Sequence, residues 1–515
     1  MESDNVVIQL RDNRAYGNAR TFKRITSGPA GRFVSNEFEG LDKTSVPEYV
    51  ETILSGYNGD RGSLGNLINA SNGAVIDLSG SRHMNKDRND LRFVQYQKKD
   101  NGFSLATGNL MGVLRFRNPK TGSSVQIEVL SRFDQDENSF FLNYLLSRVF
   151  DFAQGVEAVS AWRSSLLDIL LDIVFVRRLG EAAKAGLLRH YREFRNNDWN
   201  FKGSLDLARH IRENVPLMHG IAYRKREIDL DVPVNRMILM AALTVNRRHP
   251  SLFERDGDAA DALRQLRMGV TEARDVRNVL AHRDCREPVR HPFFREIWEP
   301  LRRIARMILE DEQWTLFHEG AEDEEVSGVV FDGSWLWEEY IATILTPEFR
   351  HCIRGGDKTQ KGLKLLEGGP VRFYPDFYLK TDEASKRVVL DAKYKRFNPS
   401  GERSDVHQVL CYLLLTGAKL GGLVFPPVDR RAESESDGDL ANEFGTGNDG
   451  WSIEGSKSEN TIASEYSTQE NPIRWHCFSW RMWKAGCDWE SFKKHMEDQE
   501  RDLKNGPNCF PFNLG

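Results

Sequence analysis

Residues 374–397, YPDFYLKTDEASKRVVLDAKYKRF, decide how the C-terminal part of this chain folds. Two apolar runs flank the polar segment DEAS, a pattern that predicts a β-hairpin. A turn centred in the middle of DEAS places Asp376 directly opposite Asp391, because both lie equally far from that turn. Period-two alternation puts Lys393 on the same face as Asp391. Two acids that face each other in a buried hairpin repel, so the sequence predicts a compensating partner.

The compensating partner that we expect is a divalent metal ion. Two carboxylates supply the oxygen ligands that Mg²⁺ prefers, with Mn²⁺ as a substitute. The ammonium group of Lys393 can stabilise the charge that develops on a reacting phosphate. We therefore predict Asp376 and Asp391 as metal ligands and Lys393 as the third catalytic group of phosphodiester hydrolysis.

A helix before the hairpin supplies a candidate for a third acid. The segment GSWLWEEYIATIL, residues 333–345, repeats apolar residues at helical spacing. Glu338 lies closer than Glu339 to the apolar face of this helix. We therefore predict Glu338 as an additional catalytic acid and metal ligand, with Glu339 as the alternative and an exposed glutamate pair as the simpler interpretation.

A helix after the hairpin supplies a candidate orienting group. The segment DVHQVLCYLLLT predicts a helix with Asp405 as its N-cap and Gly417 as its stop. Gln408 and Tyr412 stand four positions apart and share one helix face. Alone, this pair is typical of a packed helix face. Beside the hairpin, we predict that Gln408 orients a water molecule or a phosphate.

The chain as a whole predicts a multidomain α/β protein, since 515 residues exceed what one core supports. Short β-like runs dominate residues 1–130, and helical periodicity dominates residues 131–325. Residues 326–515 alternate helix and strand patterns, which is typical of an α/β domain. Within them, residues 429–470 carry 11 acids against 3 bases, a composition that predicts a flexible acidic insertion.

The predicted helical domain is rich in arginine. Between Arg177 and Glu310 there are 27 Lys and Arg residues against 19 Asp and Glu, and 24 of the 27 are Arg. Guanidinium groups suit phosphate and carboxylate ligands. Two interpretations remain open, a set of solvated helix faces whose arginines pair with the acids, and a surface that faces nucleic acid or a partner.

Composition narrows the class of protein. The formal net charge of −5 argues against a chain built wholly around nucleic-acid neutralisation. The start, MESDNVVIQLRDNR, has no apolar signal region and no later apolar run approaches membrane-spanning length, so we expect a cytoplasmic location and no membrane partner. The segment GGDKTQKG, residues 355–362, lacks the spacing of a nucleotide-binding loop, and no other segment has that spacing.

The order of these motifs resembles a known nuclease signature. Pro-Asp at 375–376, Asp-Ala-Lys at 391–393 and Gln-x-x-x-Tyr at 408–412 resemble the PD-(D/E)xK pattern. From residue 105 to residue 428, the chain resembles one family, McrC, the nuclease subunit of methylation-dependent restriction systems. The segments that carry this wider resemblance are FKGSLDLARHIREN at 201–214, the Asp-x-Pro-x-Asn-Arg core at 231–236 and WEEY at 337–340.

The resemblance implies a function. It implies a restriction-endonuclease-like α/β domain at 326–515 that cuts double-stranded DNA with Mg²⁺. It implies a partner, an AAA+ GTPase of the McrB type, which translocates modified DNA and which this chain stimulates. Residues 1–130 would dock on that partner. Two alternatives are a catalytically silent adaptor that activates the GTPase ring, and a stand-alone nuclease of another defence system.

Overall fold

The computed structural model of the chain describes most, but not all, of its residues. Every statement below concerns the described residues alone. They are residues 5–16, 22–24, 32–35, 48–56, 59–70, 75–79, 91–99, 102–117, 124–134, 139–150, 166–216, 219–287, 292–311, 326–345, 349–351, 363–364, 372–383, 386–396, 403–428, 451–457, 461–468, 474–481, 483 and 486–505.

Strands occur in the N-terminal, middle and C-terminal parts of the described chain, which confirms that the protein is a multidomain mixture of helices and sheets. They are β1 (Asn5–Arg11), β2 (Ala15–Tyr16), β3 (Phe22–Arg24), β4 (Arg32–Ser35), β5 (Val75–Asp77), β6 (Gln95–Lys99), β7 (Gly102–Ala106), β8 (Leu110–Arg117), β9 (Ser124–Leu130), β10 (His190–Asp198), β11 (Ser204–Leu205), β12 (Ile221–Asp229), β13 (Val326–Asp332), β14 (Phe349–His351), β15 (Leu363–Lys364), β16 (Arg372–Phe373), β17 (Phe377–Leu379), β18 (Val388–Ala392), β19 (Leu420–Val428), β20 (Trp451–Lys457), β21 (Thr461–Thr468) and β22 (Arg474–Arg481).

The described helices fall mostly between residue 140 and residue 345. None of them combines the length and the apolar character that crossing a bilayer requires. They are α1 (Glu48–Ser55), α2 (Leu64–Ala70), α3 (Phe140–Val149), α4 (Leu166–Ala185), α5 (Leu207–Asn214), α6 (Pro233–Arg248), α7 (Pro250–Arg255), α8 (Gly257–Gly269), α9 (Val276–Ala281), α10 (Arg283–Arg286), α11 (Pro292–Asp311), α12 (Gly333–Ile344), α13 (Arg403–Thr416) and α14 (Trp489–Asn505).

The chain divides into two compact units. The first contains residues 1–167 and 322–515, and the second contains residues 168–321. This differs from the expected three-part division at residues 130 and 325. The reason is that β13, which follows the second unit in the chain, pairs with both β8 and β5 of the N-terminal sheet. The N-terminal region and the C-terminal region therefore form one unit.

The N-terminal sheet of the first unit has seven strands in the order β3-β4-β1-β9-β8-β13-β5. Its central strand β9 reads SVQIEVL, and all seven residues are buried. Burial on both faces is typical of an inner strand whose β-branched residues pack on either side. The end of this strand leads to residues 131–134, which lie beside the C-terminal sheet of the same unit.

The second unit contains the described part of the Arg-rich region. The sequence predicted a helical domain here. The unit is not entirely helical, because β10, β12 and β11 form a three-stranded sheet in that order. The runs HYREFRNND and IAYRKREID pair antiparallel over nine residues. Both runs are rich in polar residues, and the first is mostly exposed, so they lack the apolar alternation that signals a strand.

The Asp-x-Pro-x-Asn-Arg core forms the start of α6 in the second unit. Asp231 accepts two hydrogen bonds from the Arg236 guanidinium, each 2.7 Å long, and one from the Thr271 hydroxyl. The Arg236 bonds hold the pKa of Asp231 well below its ordinary value. Asn235 donates to the carbonyls of Leu188 and Leu230. These side chains fix the entry into the helix, which is a structural role.

The C-terminal sheet of the first unit has seven strands in the order β14-β17-β18-β19-β22-β21-β20. Strand β18 pairs antiparallel with β17 and parallel with β19, and α13 makes the crossover between β18 and β19. Val389 on β18 packs with Val409 and Leu413 of α13. This apolar contact fixes the helix against the sheet that carries the predicted site.

Two strands lie within the predicted acidic insertion at residues 429–470, so that expectation needs a correction. Strand β20 and strand β21 pair antiparallel, and β21 pairs with β22 to extend the C-terminal sheet. The sequence of β21, TIASEYST, is mostly polar, so it lacks the regular apolar alternation that would predict a strand. The rest of the insertion, residues 429–450, 458–460 and 469–470, lies outside the described residues.

The C-terminal helix α14 is anchored in the first unit by one buried carboxylate. Glu500 accepts hydrogen bonds from the hydroxyls of Tyr144 and Tyr340, at 2.8 and 2.9 Å, and from Arg148 at 2.9 Å. Burial and the Glu500 carboxylate raise the pKa of both tyrosines, so both hydroxyls stay protonated as donors. Because Tyr340 belongs to α12, Glu500 also fixes the helix that carries Glu338.

We expect Glu500→Ala to lower the free energy of unfolding by about 3 kcal/mol, because it leaves two buried hydroxyls and one guanidinium without their acceptor. Thermal denaturation of the full chain measures this. The matched control is Glu497→Ala on the same helix, where the side chain is 50% exposed and lies 3.9 Å from Lys493. That change should cost less than about 0.5 kcal/mol. Equal losses in the two variants would contradict the anchoring role.

Candidate functional site: two carboxylates and a lysine at the end of a hairpin

The hairpin of residues 374–397 has the predicted register. Phe377 pairs with Leu390 and Leu379 pairs with Val388, so the residues that face each other are equally far from the middle of DEAS. One step further from the turn, this register brings Asp376 opposite Asp391. The Ala392 amide donates to Asp376 Oδ2 at 2.7 Å, which ties the first carboxylate to the strand that carries the second.

Asp391 and Lys393 lie at the end of the inner strand β18. Asp391 pairs in register with Leu423 of β19, and its side chain is 1% exposed. The Lys393 amide donates to the Val424 carbonyl at 2.8 Å, so the lysine backbone continues the parallel ladder. The Lys393 ammonium forms an ion pair with Asp391 Oδ2. The predicted lysine is therefore in direct contact with one of the two predicted metal ligands.

Helix α13 supplies the contact that orients the lysine. Lys393 Nζ donates to Gln408 Oε1 at 2.9 Å, and Gln408 Nε2 donates to the Tyr412 hydroxyl at 2.7 Å. The Tyr412 hydroxyl donates in turn to the Tyr374 carbonyl at 3.1 Å, at the start of the hairpin. Gln408 and Tyr412 thus connect the helix to both strands. In this structure Gln408 holds the lysine, whereas the sequence predicted a water or a phosphate as its partner.

Asp405 has a different position from the expected N-cap. Helix α13 begins at Arg403, so Asp405 lies in its first turn. Its carboxylate pairs with Lys395 and lies 3.8 Å from Lys393 Nζ. The helix ends at Thr416, and Gly417 follows with φ +64°, as the predicted stop requires. Asp405 therefore belongs to the charge network of the site.

Helix α12 carries Glu338 near the hairpin acids. Asp332 caps this helix by accepting from the Ser334 amide at 2.8 Å. Trp337 is buried, and its indole donates to the Val424 carbonyl at 3.1 Å, which fixes the helix over β19. Glu338 is partly buried, and its charge acts on Asp376.

The charges of the site shift one another's pKa. Burial raises the pKa of Asp376 well above its ordinary value, and the nearby carboxylates of Asp391 and Glu338 raise it further. Burial also raises the pKa of Asp391, although the Lys393 ammonium opposes that rise. Burial disfavours the charged form of Lys393, but Asp391 and Asp376 outweigh it and raise the lysine pKa. The site gathers more negative charge than one lysine balances.

The donor set fits a hard divalent cation. Asp391 Oδ2 is buried and binds the Lys393 ammonium, and the Asp376 carboxylate is tied to the same strand. Mg²⁺ is held in many proteins by one or two carboxylates and retained waters, so Asp376 and Asp391 suffice as its protein ligands. The described residues contain no group of three or more Asp, Glu, His or Cys side chains close enough to share one ion. The assignment of Glu338 as a third metal ligand stays a prediction from the sequence.

An ion pair that borders the site was missed in the sequence. Lys395 and Asp405 form an ion pair next to Lys393. Period-two alternation along DAKYK could have found Lys395, because it places residues 391, 393 and 395 on one face. Nothing local predicts that Asp405, one turn into the next helix, reaches that face.

The solved structures that are similar to this chain include two from Thermococcus gammatolerans. The first belongs to a half-complex of a tetradecameric assembly of McrB AAA+ hexamers with bound McrC. It has a TM-score of 0.43 and 12% identity, over 96% of this chain and 99% of that chain. The second belongs to the McrBC complex and has a TM-score of 0.30 and 15% identity, over 66% of this chain and 88% of that chain. No curated protein matches this chain.

A family model matches most of the chain. It describes the McrBC 5-methylcytosine restriction system component and covers residues 105–426 of the 515. The matched region includes Asp376, Asp391, Lys393 and Gln408. It agrees closely with the region over which the sequence resembles McrC. The chain therefore belongs to the family of McrBC 5-methylcytosine restriction system components.

Proposed function

We propose that this protein is the Mg²⁺-dependent DNA endonuclease subunit of a modification-dependent restriction system. The observation that carries the proposal is the contact of Lys393 with Asp391 at the end of a hairpin that also carries Asp376. Phosphodiester hydrolysis needs these groups, two carboxylates to hold a metal and one cation for phosphate charge. The family of the chain supports a restriction function for them.

Each residue of the site has a role in the proposed reaction. Water attacks the phosphorus of double-stranded DNA and one phosphorus–oxygen bond breaks, so negative charge accumulates on the phosphoryl oxygens. Mg²⁺, held by Asp376 and Asp391, supplies Lewis-acid polarisation of the phosphate when bound, and Mn²⁺ is the expected substitute. Lys393 stabilises the developing negative charge. Gln408 keeps the Lys393 ammonium in place, and Glu338 adds negative potential near Asp376.

The partner that we propose is an McrB-like AAA+ GTPase. In a solved structure of Thermococcus gammatolerans, McrC is bound to McrB AAA+ hexamers. This chain belongs to the McrBC family and its sequence has no nucleotide-binding loop, so a GTPase motor would have to come from another chain. Docking through residues 1–130, stimulation of the GTPase and a cytoplasmic location remain predictions from the sequence.

We expect the full chain, mixed with an McrB-like AAA+ GTPase, to cut methylated plasmid DNA when GTP and Mg²⁺ are present. Gel electrophoresis of the plasmid measures this. EDTA, GDP in place of GTP, or unmethylated plasmid should each prevent cutting. Stimulation of GTP hydrolysis without any cutting would overturn the nuclease proposal in favour of an adaptor. Cutting without the GTPase would overturn the partner proposal in favour of a stand-alone nuclease.

A further inference from the structure

The residue that follows the catalytic lysine is held by the N-terminal sheet. Tyr394 is buried, and its hydroxyl lies 2.8 Å from Ser131 Oγ, at the end of β9. Its ring makes an edge contact with Phe133, with 5.0 Å between centroids. The hydroxyl also donates to the Met111 sulfur at 3.6 Å. The residue that follows Lys393 therefore packs against residues at and next to the strands of the N-terminal sheet.

Arg132 makes the contact closest to the lysine. Its Nη2 donates to the main-chain carbonyl of Tyr394, and its guanidinium carbon lies 5.0 Å from the centre of the Tyr394 ring. On the other side of Lys393, the lysine amide donates to Val424. The Lys393 carbonyl accepts from the Lys395 amide at 2.9 Å, and Arg132 holds the next carbonyl of the chain, that of Tyr394.

Arg132 is itself held by a buried acid. Asp12 Oδ1 accepts from the Arg132 amide at 2.6 Å, and Asp12 Oδ2 lies 3.5 Å from Arg132 Nη1. The Asp12 side chain is fully buried, and its amide donates to the Leu130 carbonyl. Burial raises the pKa of Asp12 to about 6, against the lowering effects of Arg132, Arg14 and Arg11. Burying a carboxylate costs free energy, so the burial of Asp12 against Arg132 indicates that the pair has a specific role.

The role follows from the precision that catalysis needs. A catalytic group displaced by about 1 Å can cost a factor of 10² in rate. The Lys393 ammonium must stay in contact with Asp391 and Gln408. The position of the lysine side chain depends on its backbone, and Arg132 binds the backbone carbonyl of the next residue, Tyr394. Packing of the Tyr394 ring alone does not define the position of that backbone carbonyl, whereas a hydrogen bond from a guanidinium held by Asp12 does.

We propose that Arg132, held by Asp12, is a positioning residue for Lys393, so that the N-terminal sheet completes the nuclease site. This inference rests on the proposed nuclease function. It assigns a catalytic purpose to residues outside the signature motif, and Asp12 lies outside the region that the family model matches. Loss of Arg132 should leave the metal ligands in place and should slow the chemical step.

The test is single-turnover cleavage of methylated DNA by the full chain with its GTPase partner, at saturating Mg²⁺ and GTP. We expect Arg132→Met to lower the rate constant at least tenfold while the amplitude of the reaction stays at the wild-type level. Unfolding would do the opposite, because it removes active molecules and lowers the amplitude. The matched control is Arg115→Met, where the half-buried arginine of β8 donates to Gln126 at 2.9 Å and does not contact Tyr394 in any described interaction. Its rate constant should stay within twofold of the wild type.

A second variant keeps the inference testable if Arg132→Met does not fold. Asp12→Asn keeps the size of the buried side chain but removes the charge that holds Arg132, so we expect a three- to tenfold lower rate constant at full amplitude. A wild-type rate constant in a folded Arg132→Met or Asp12→Asn variant would overturn the positioning role alone. Equal slowing by Arg115→Met would also overturn it. Failure of the wild-type chain to cut would instead overturn the proposed function.

Discussion

Replacing Lys393 with methionine should lower the rate of DNA cleavage by about 10²- to 10³-fold, the usual cost of removing one group that stabilises transition-state charge. Methionine keeps most of the aliphatic length of the side chain but has no ammonium to contact phosphate. The variant should still bind Mg²⁺, since Asp376 and Asp391 remain. It should also still stimulate the GTP hydrolysis of the partner, because that activity does not use the nuclease site. Cleavage, metal binding and GTPase assays on the same preparation measure these three results.

The chain offers a closely matched control for this variant. Lys395 lies two residues further on, is also partly buried, and pairs with Asp405. It makes no described contact with Asp376 or Asp391. Lys395→Met should therefore leave the cleavage rate within about threefold of the wild type. Equal losses from both lysines would show that the cationic surface matters and that Lys393 has no special place in it.

The Lys393 variant should also be less stable. Its ammonium is the cation that pairs with the buried Asp391, and removing one partner of a buried pair is costly. Protonation of Asp391 relieves part of this cost, since burial already raises its pKa. We expect a loss of at most about 3 kcal/mol, largest at high pH where Asp391 is ionised. The assays therefore belong well below the melting temperature of the variant.

The hairpin register could be predicted from sequence because it depends on local features. The turn segment and the alternating runs lie within one stretch of the chain, and Phe377 does face Leu390 as they require. The order of Asp391 and Lys393 along one strand is equally local. Side-chain periodicity fixes the face of each residue once the strand is identified. This is why the core of the site follows from the residues alone.

The features that were missed depend on contacts between distant parts of the chain. Strand β13 pairs with β8 across about two hundred residues, and no periodicity reveals such a pairing. The strands β10, β20 and β21 are polar, so their alternation is weak. The hydrogen bond from Arg132 to the Tyr394 carbonyl joins the ends of strands from two different sheets, and these residues are far apart in the sequence. Long-range topology, rather than propensity, separates the prediction from the structure.

Asp376→Asn should abolish cleavage and yet stabilise the metal-free protein. The change removes a metal ligand, so we expect at least a 10³-fold loss of cleavage rate. Asparagine retains an oxygen that can accept the bond from the Ala392 amide. The substitution also removes the negative charge of Asp376, which the carboxylates of Asp391 and Glu338 repel. At neutral pH and without metal, the variant should be more stable than the wild type by more than about 1 kcal/mol.

The pH dependence of this stability difference has a definite sign. Burial, Asp391 and Glu338 raise the folded-state pKa of Asp376 above the ordinary value of 3.8. An acid whose pKa is raised on folding destabilises the folded state at every pH above its unfolded pKa, and the penalty grows until the pH passes the folded pKa. The advantage of Asp376→Asn should therefore be larger at neutral pH than in mild acid and should disappear as the pH falls towards about 4. Thermal denaturation in EDTA across this range measures it.

Addition of Mg²⁺ should reverse the order of stabilities. A ligand that binds only the folded state stabilises it in proportion to the logarithm of its concentration over its Kd, so the melting temperature of the wild type should rise with Mg²⁺. The variant lacks one of two carboxylate ligands and should respond weakly. Asp382→Asn, at an exposed aspartate near the tip of the same hairpin, should change neither cleavage nor the Mg²⁺ response. An Asp376→Asn variant that is less stable than the wild type in EDTA, or that gains as much from Mg²⁺, would show that the two acids face each other for a reason other than binding a metal.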